Sequence, residues 1–318
     1  SYKPIMLSTI SRHLKEKFKV FLLTDNLIFN NKLIPITQES FQELSPAAEE
    51  KTIAFIDGGQ AEILSGGNLN LSFIRIFAQI MKRQQKISSQ KHEFYLLTTA
   101  SYRKGEIWYE GKIFPLNGPS IVDESDLIIC STDSSIRSGN ERAPISKVAN
   151  MARRFAELAV ASSISADYVL LDGTLEPTYK NEEKYLSKLP VNICALAKSS
   201  SLFTVSGNSP VVLLQKLSSG GCWSYFIEEQ SYFVRLHEKS RHVFRYTGTK
   251  DFLSYLAENS TDALFLGYPY GLIAVDKFAR VSNEEKRSLK MNFLLKADNR
   301  EIAEYLSATE AHDILDNF

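Results

Sequence analysis

The chain has 318 residues, 44% hydrophobic and 23% charged, which excludes a disordered chain and supplies apolar material for a large core. Its 37 Lys and Arg balance 37 Asp and Glu, so no global field draws it to DNA or to an acidic membrane. Three scattered cysteines, Cys130, Cys194 and Cys222, argue against a disulfide framework or zinc ribbon and predict buried thiols in a reducing compartment.

The stretch Arg12-His13-Leu14-Lys15-Glu16-Lys17 is too polar for a signal peptide, and no apolar run approaches the roughly 20 residues of a membrane span. The expectation is a soluble, cytoplasmic protein. The length slightly exceeds what one core usually serves, which predicts one large domain with an N-terminal appendage.

Ile10, Leu14, Phe18 and Phe21 recur at helical spacing, while residues 22–44 hold no clean period; together they predict a helical arm or small subdomain. The apolar run Thr52 to Ile56 reads as a buried strand stopped by a glycine turn at Asp57-Gly58-Gly59. Residues 61–64, a turn at Ser65-Gly66-Gly67-Asn68 and residues 69–82 predict a hairpin. Residues 94–99 predict a strand, and residues 106–114 a short hairpin around Glu110-Gly111.

Residues 143–162 form the clearest helix, with Ile145, Val148, Ala149, Ala152, Phe155 and Ala159 on one stripe. Strands follow at 167–172, stopped by Gly173, and at 191–197, ending at Lys198. Aromatic and charged residues alternate from Trp223 to Tyr246, as in a two-faced hairpin. Helical patterns cover 252–257, 272–278, 284–295 and 301–306. Strands, then a helix, a returning strand and further helices describe an α/β domain, and the order suits a ribonuclease-H-like mixed sheet flanked by helices.

Two apolar runs end in Asp-Gly, at Asp57-Gly58 and at Asp172-Gly173. A carboxylate beside buried strands is costly without a partner, and two on neighbouring strands need a shared proton or a cation between them. A hard divalent ion, Mg²⁺ or Mn²⁺, supplies that, and a pair of such ions hydrolyses phosphodiesters. Each Asp-Gly also reads as an ordinary turn after a strand.

Three further residues keep two readings each. Glu157 falls opposite the apolar stripe, either as a solvated partner of Arg153 or as a site carboxylate if that face looks into the site. Lys198 holds a phosphate or snorkels at a strand end. His312, in Ala311-His312-Asp313-Ile314-Leu315, is a surface or capping residue or a metal ligand. No nucleotide-binding P-loop, dinucleotide, zincin or esterase motif is present.

In order, Phe55-Ile56-Asp57-Gly58-Gly59, the helix bearing Glu157, Leu170-Leu171-Asp172-Gly173-Thr174-Leu175, Ala197-Lys198-Ser199, Gly267-Tyr268-Pro269-Tyr270 with Leu272, Asp276 and Ala279-Arg280-Val281-Ser282, and His312-Asp313-Ile314-Leu315 resemble the NurA family of nucleases. Members of that family work with the HerA hexameric DNA translocase in DNA-end processing. The resemblance implies a ribonuclease-H-like fold with an N-terminal helical arm and a β-hairpin insertion, divided into a docking arm at 1–49 and a nuclease domain at 50–318. It implies Mn²⁺- or Mg²⁺-dependent 5′-to-3′ exonuclease and single-strand endonuclease activity on DNA, by a homodimer docked on a HerA-type ATPase.

On the same ground the metal ligands are Asp57, Glu157, Asp172 and His312, with Lys198 joining Asp57, Glu157 and Asp172 in catalysis. Gly59 stands where the family often has serine, and Gly271 where proline is common, a difference expected to matter little. Two rival readings remain: a sugar-kinase or actin-like ATPase, which also uses two Asp-Gly turns, and a non-catalytic adaptor for a motor ring. Saturable ATP binding marks the first, and activity that survives loss of Asp57 and Asp172 marks the second.

Overall fold

The computed structural model describes residues 3–19, 25–47, 49–198, 200–296 and 299–307. Along the chain come α1 (Lys3–Lys19), β1 (Asn26–Phe29), β2 (Lys32–Pro35), β3 (Phe41–Glu43), β4 (Thr52–Ser65), β5 (Leu69–Lys82), β6 (Gln85–Arg103), β7 (Glu106–Pro115) and β8 (Ile128–Cys130). Then follow α2 (Lys147–Ser163), β9 (Tyr168–Asp172), α3 (Glu183–Leu186), β10 (Ile193–Ala197), α4 (Pro210–Leu217), β11 (Trp223–Glu228), β12 (Ser231–Arg235) and β13 (Phe244–Thr247). The helices α5 (Phe252–Glu258), α6 (Tyr270–Ala279), α7 (Asn283–Leu294) and α8 (Arg300–Ser307) complete the order. Among the described residues no helix is long and apolar enough to cross a membrane.

Two compact units emerge, Ser1–Ala47 with Leu196–Tyr268, and Ala48–Ala195 with Pro269–Phe318. Where the sequence division runs 1–49 against 50–318, the chain returns to the N-terminal unit after β9 and leaves it before α6. The N-terminal unit is richer in strand than its sequence texture suggests: residues 26–43 hold the β1–β2 hairpin and β3, in addition to the helix α1. Leu27, Phe29, Trp223, Tyr225, Ile227 and Phe233 form its core, and β11 pairs antiparallel with both β3 and β12. Gly220 and Gly221, at φ +93° and +75°, lie in the turn before β11.

The larger unit carries the strands in the order β10-β9-β4-β5-β6-β7-β8. Neighbours from β4 to β8 are antiparallel, and β9 joins β4 in parallel, with Ile53 opposite Tyr168 and Ile56 opposite Leu171. That is the mixed sheet expected, flanked by α2, α6 and α7. Arg75 on β5 bonds Glu93 at 2.7 Å and Glu285 at 2.5 Å, which pins α7 to the sheet.

Two turn assignments change. Asp57-Gly58-Gly59 is no turn: β4 continues through it to Ser65, paired with β5 residue by residue, and neither glycine has a positive φ. What ends beside Asp57 is the parallel pairing, because β9 stops at Asp172. Likewise β7 runs straight through Glu110-Gly111, and the hairpin turns at Lys104-Gly105, where both residues have positive φ. In each case a glycine that looks like a breaker serves packing, Gly111 lying against Leu127 and Leu96.

Candidate active site

Asp57 and Asp172 each follow the last matched pair, Ile56 and Leu171, of the parallel ladder. They therefore sit side by side on adjacent strands, about 5 Å apart in backbone, on the same face of the sheet. Alternation along β4 then divides its neighbours. Phe55, Asp57 and Gly59 face α6, with Phe55 against Gly271 and Gly59 against Ala279. From Gly271 to Ala279 the helix rises about 12 Å, and from Phe55 to Gly59 the strand rises about 13 Å, so the two run together. That register brings Asp276 over Asp57.

The opposite face of β4 meets α2. Gln60 donates to Asn150 at 2.6 Å, and Gly58 lies under Arg153 and Glu157. A Cβ at Gly58 would overlap Glu157 Oε1 and stand 2.9 Å from Arg153 Cγ, so the glycine lets the helix carboxylate reach the strand backbone. Glu157 is 5% exposed, so it is not a solvated side chain: it packs onto β4 at Gly58. Its pairing with Arg153, at 2.6 Å, is present as well.

The electrostatics follow from this crowding. Burial, then the charges of Glu157, Asp172 and Asp276, push the Asp57 carboxyl up to about 7, against one hydrogen bond from Gly58 N at 2.8 Å. Burial also pushes Glu157 up, opposed by Arg153 and Arg154. Among the described residues no three His, Cys, Asp or Glu converge as a ready-made metal cage. The donors of the cluster are all carboxylate oxygens, which suit a hard divalent cation.

The loop after Asp172 is tied to α2. Arg154 donates to Glu182 at 2.7 Å and to Thr174 O at 2.6 Å, while Glu182 accepts from Thr178 N and Tyr179 N at 2.7 and 2.9 Å. The Glu182 side chain is fully buried. Replacing Arg154 by Met is expected to cost about 3 kcal/mol, because it strands that charge. Glu182→Gln, which leaves no buried unpaired charge of its own, should cost less in urea unfolding; equal costs would contradict this account.

Of the sequence candidates, Asp57 and Asp172 sit side by side where the parallel ladder ends, and Glu157, reaching β4 from the α2 side at Gly58, is near enough for its charge to act on Asp57. Lys198 belongs to the other unit, exposed directly after β10, with its ammonium 5.3 Å from the Tyr268 ring centre. His312 lies outside the described residues. Asp276, which the sequence offers only as part of the resemblance and not as a site residue, also acts on Asp57, while it pairs with Arg280 four residues on at 2.5 Å.

No family model and no curated protein matches the chain. Among solved structures, it is similar to the NurA nuclease from Sulfolobus solfataricus, with a TM-score of 0.50 at 13% identity over 95% of each chain. It is less similar to endonuclease V from Ciona intestinalis in complex with DNA, with a TM-score of 0.39 at 11% identity over 77% of this chain and 89% of that one. Human endonuclease V gives 0.36 at 12% identity over 77% and 88%. The first likeness spans almost the whole of both chains, and this protein therefore has the ribonuclease-H-like fold of the NurA nuclease.

Proposed function

We propose that the chain is a divalent-metal-dependent DNA nuclease that hydrolyses phosphodiester bonds at Asp57, Glu157 and Asp172, with Asp276 beside them. The observation that carries this reading is the juxtaposition of Asp57 and Asp172 where the parallel ladder of β4 and β9 ends, in a setting whose burial and like charges push the Asp57 carboxyl up. A bound Mg²⁺ or Mn²⁺ would activate water and stabilise the leaving oxygen. The chain's own residues orient the site: Arg153 holds Glu157, the Arg154–Glu182 pair holds the loop after Asp172, and α6 holds Asp276. The share of Lys198 and His312 in the chemistry rests on the resemblance alone.

DNA as substrate is supported by the fold shared with the Sulfolobus solfataricus nuclease. The finer reading is that of the NurA family: 5′-to-3′ exonuclease and single-strand endonuclease action by a homodimer docked on a HerA-type hexameric ATPase. A docking arm fits α1, whose Leu7, Ile10 and Leu14 are all exposed. A ring that encloses DNA would also supply the binding that a net charge of zero does not. The test is cleavage of end-labelled DNA with and without Mn²⁺ and the ATPase. Mn²⁺-dependent products are expected; no cleavage in any combination overturns the proposal.

A further inference from the structure

The unit of Ser1–Ala47 and Leu196–Tyr268 carries an exposed ring stack. The His242 ring lies 5.2 Å from Phe265 with 28° between planes, and 6.2 Å from Phe244 with 26°. Phe265 keeps 41% of its surface accessible and His242 is exposed, whereas Phe244 and Tyr268 behind them are buried. Those two close the cluster, Phe244 at 5.3 Å from Tyr268 and Phe265 at 5.7 Å. Aromatic faces ordinarily turn inward, where burial favours them. Here two rings stack on each other and keep exposed surface above a packed floor of Phe244 and Tyr268.

Both loops that carry the rings are held rigidly. Arg235 donates to Ser240 O at 2.8 Å and to Glu238 O at 2.6 Å, and the buried Ser240 accepts from His242 N at 3.1 Å. On the other loop Leu264 N donates to Asp262 at 2.8 Å and Gly267 N to Ser260 O at 2.8 Å. Gly267, at φ +89°, lets the two loops interlock, since a Cβ there would stand 2.5 Å from Ser240 Cβ. Such a surface loses little entropy when it meets a ligand.

Charge identifies that ligand. Arg241 directly precedes His242 and Lys239 stands three residues before it, both exposed, and Lys198 reaches the Tyr268 ring at 5.3 Å. Flat rings bordered by cations suit a polyanion that carries flat rings of its own. We propose that His242 and Phe265 form a stacking platform for the unpaired bases of single-stranded DNA, with Lys239 and Arg241 on the flanking phosphates. The choice of DNA rests on the nuclease reading. Recognition through base faces is tolerant of sequence and disfavours duplex, whose bases already stack on one another.

The test compares a labelled oligothymidylate with an abasic deoxyribose-phosphate strand of equal length, bound to the full chain in EDTA and followed by fluorescence anisotropy. Wild type should prefer the oligothymidylate about tenfold, and Phe265→Ala or His242→Ala should erase the preference with abasic binding unchanged. Phe265→Trp should keep it, with indole emission quenched by the oligothymidylate alone. Lys239→Ala with Arg241→Ala should weaken both ligands alike and flatten the salt dependence. Equal binding of both ligands by wild type, or a preference that survives both alanine variants, overturns the platform. Mn²⁺-dependent cleavage is read separately: cleavage without base preference removes the platform alone, and base preference without cleavage removes the nuclease reading alone.

Discussion

Replacing Asp57 by Asn is expected to reduce Mn²⁺-dependent cleavage by about 10³-fold or more while making the metal-free protein more stable at pH 8. The two effects share one cause. In the fold Asp57 is half-buried beside Glu157, Asp172 and Asp276, and its carboxyl sits near 7 instead of its ordinary 3.8. Well below pH 4 the group is protonated in the folded and the unfolded chain, and its charge costs the fold nothing. As pH rises toward 7 the unfolded chain releases the proton first, so stability falls. Above 7 the folded chain bears the full repulsion.

Asparagine keeps the shape and removes the charge. It should therefore stabilise the metal-free protein by up to about 4 kcal/mol at pH 8 and by well under about 1 kcal/mol at pH 4, as read from thermal unfolding. Added Mn²⁺ should raise the unfolding temperature of wild type and leave that of Asp57→Asn unchanged. Asp172→Asn should lose cleavage to the same extent. A variant at Asp57 that still cleaves, or that unfolds at the wild-type temperature at pH 8 without metal, would sink the picture of a crowded acidic cluster.

The second large effect concerns packing. Gly59→Ala should cost about 3 kcal/mol, and Gly59→Ser about the same, because the added Cβ itself collides with the carbonyl group of Ala279 and lies 2.7 Å from its carbon. Backbone at the end of α6 cannot swing aside as a side-chain tip can. Gly271→Ala should be comparable, since a Cβ there would stand 2.5 Å from Phe55 Cγ in a ring with no exposed surface. The difference at Gly271 that the sequence comparison treats as small is thus a contact point between α6 and β4. Gly67→Ala, with nothing within 4 Å of the added carbon, is the control and should stay within about 0.5 kcal/mol. Urea unfolding of the four variants distinguishes this from a general intolerance of glycine replacement. A neutral Gly59→Ala would mean that α6 does not pack as described.

How far the chain's own letters reach is clearest at the site. The helix of residues 147–163, the strands ending at Asp172 and Ala197 and the C-terminal helices are legible because local periodicity follows from local burial. The hairpin around Gly105, read as centred on Glu110-Gly111, shows the limit: glycine is a turn former and a packing residue alike, and only the neighbours decide which.

Asp57 and Asp172 are visible in the sequence because a carboxylate at the end of an apolar run is costly wherever it lands. Their adjacency was decided by the parallel register of β4 and β9, a pairing between segments more than a hundred residues apart. Glu157 lies on the side of α2 that a helical wheel assigns to water, and it turns inward because Gly58 leaves room for it. Asp276 owes its place to a helix laid along β4 between Gly271 and Ala279. Sequence alone determined which carboxylates and strands the protein carries, since composition and periodicity are local properties. Tertiary structure decided which of them meet, since that depends on register and close backbone approach between distant segments.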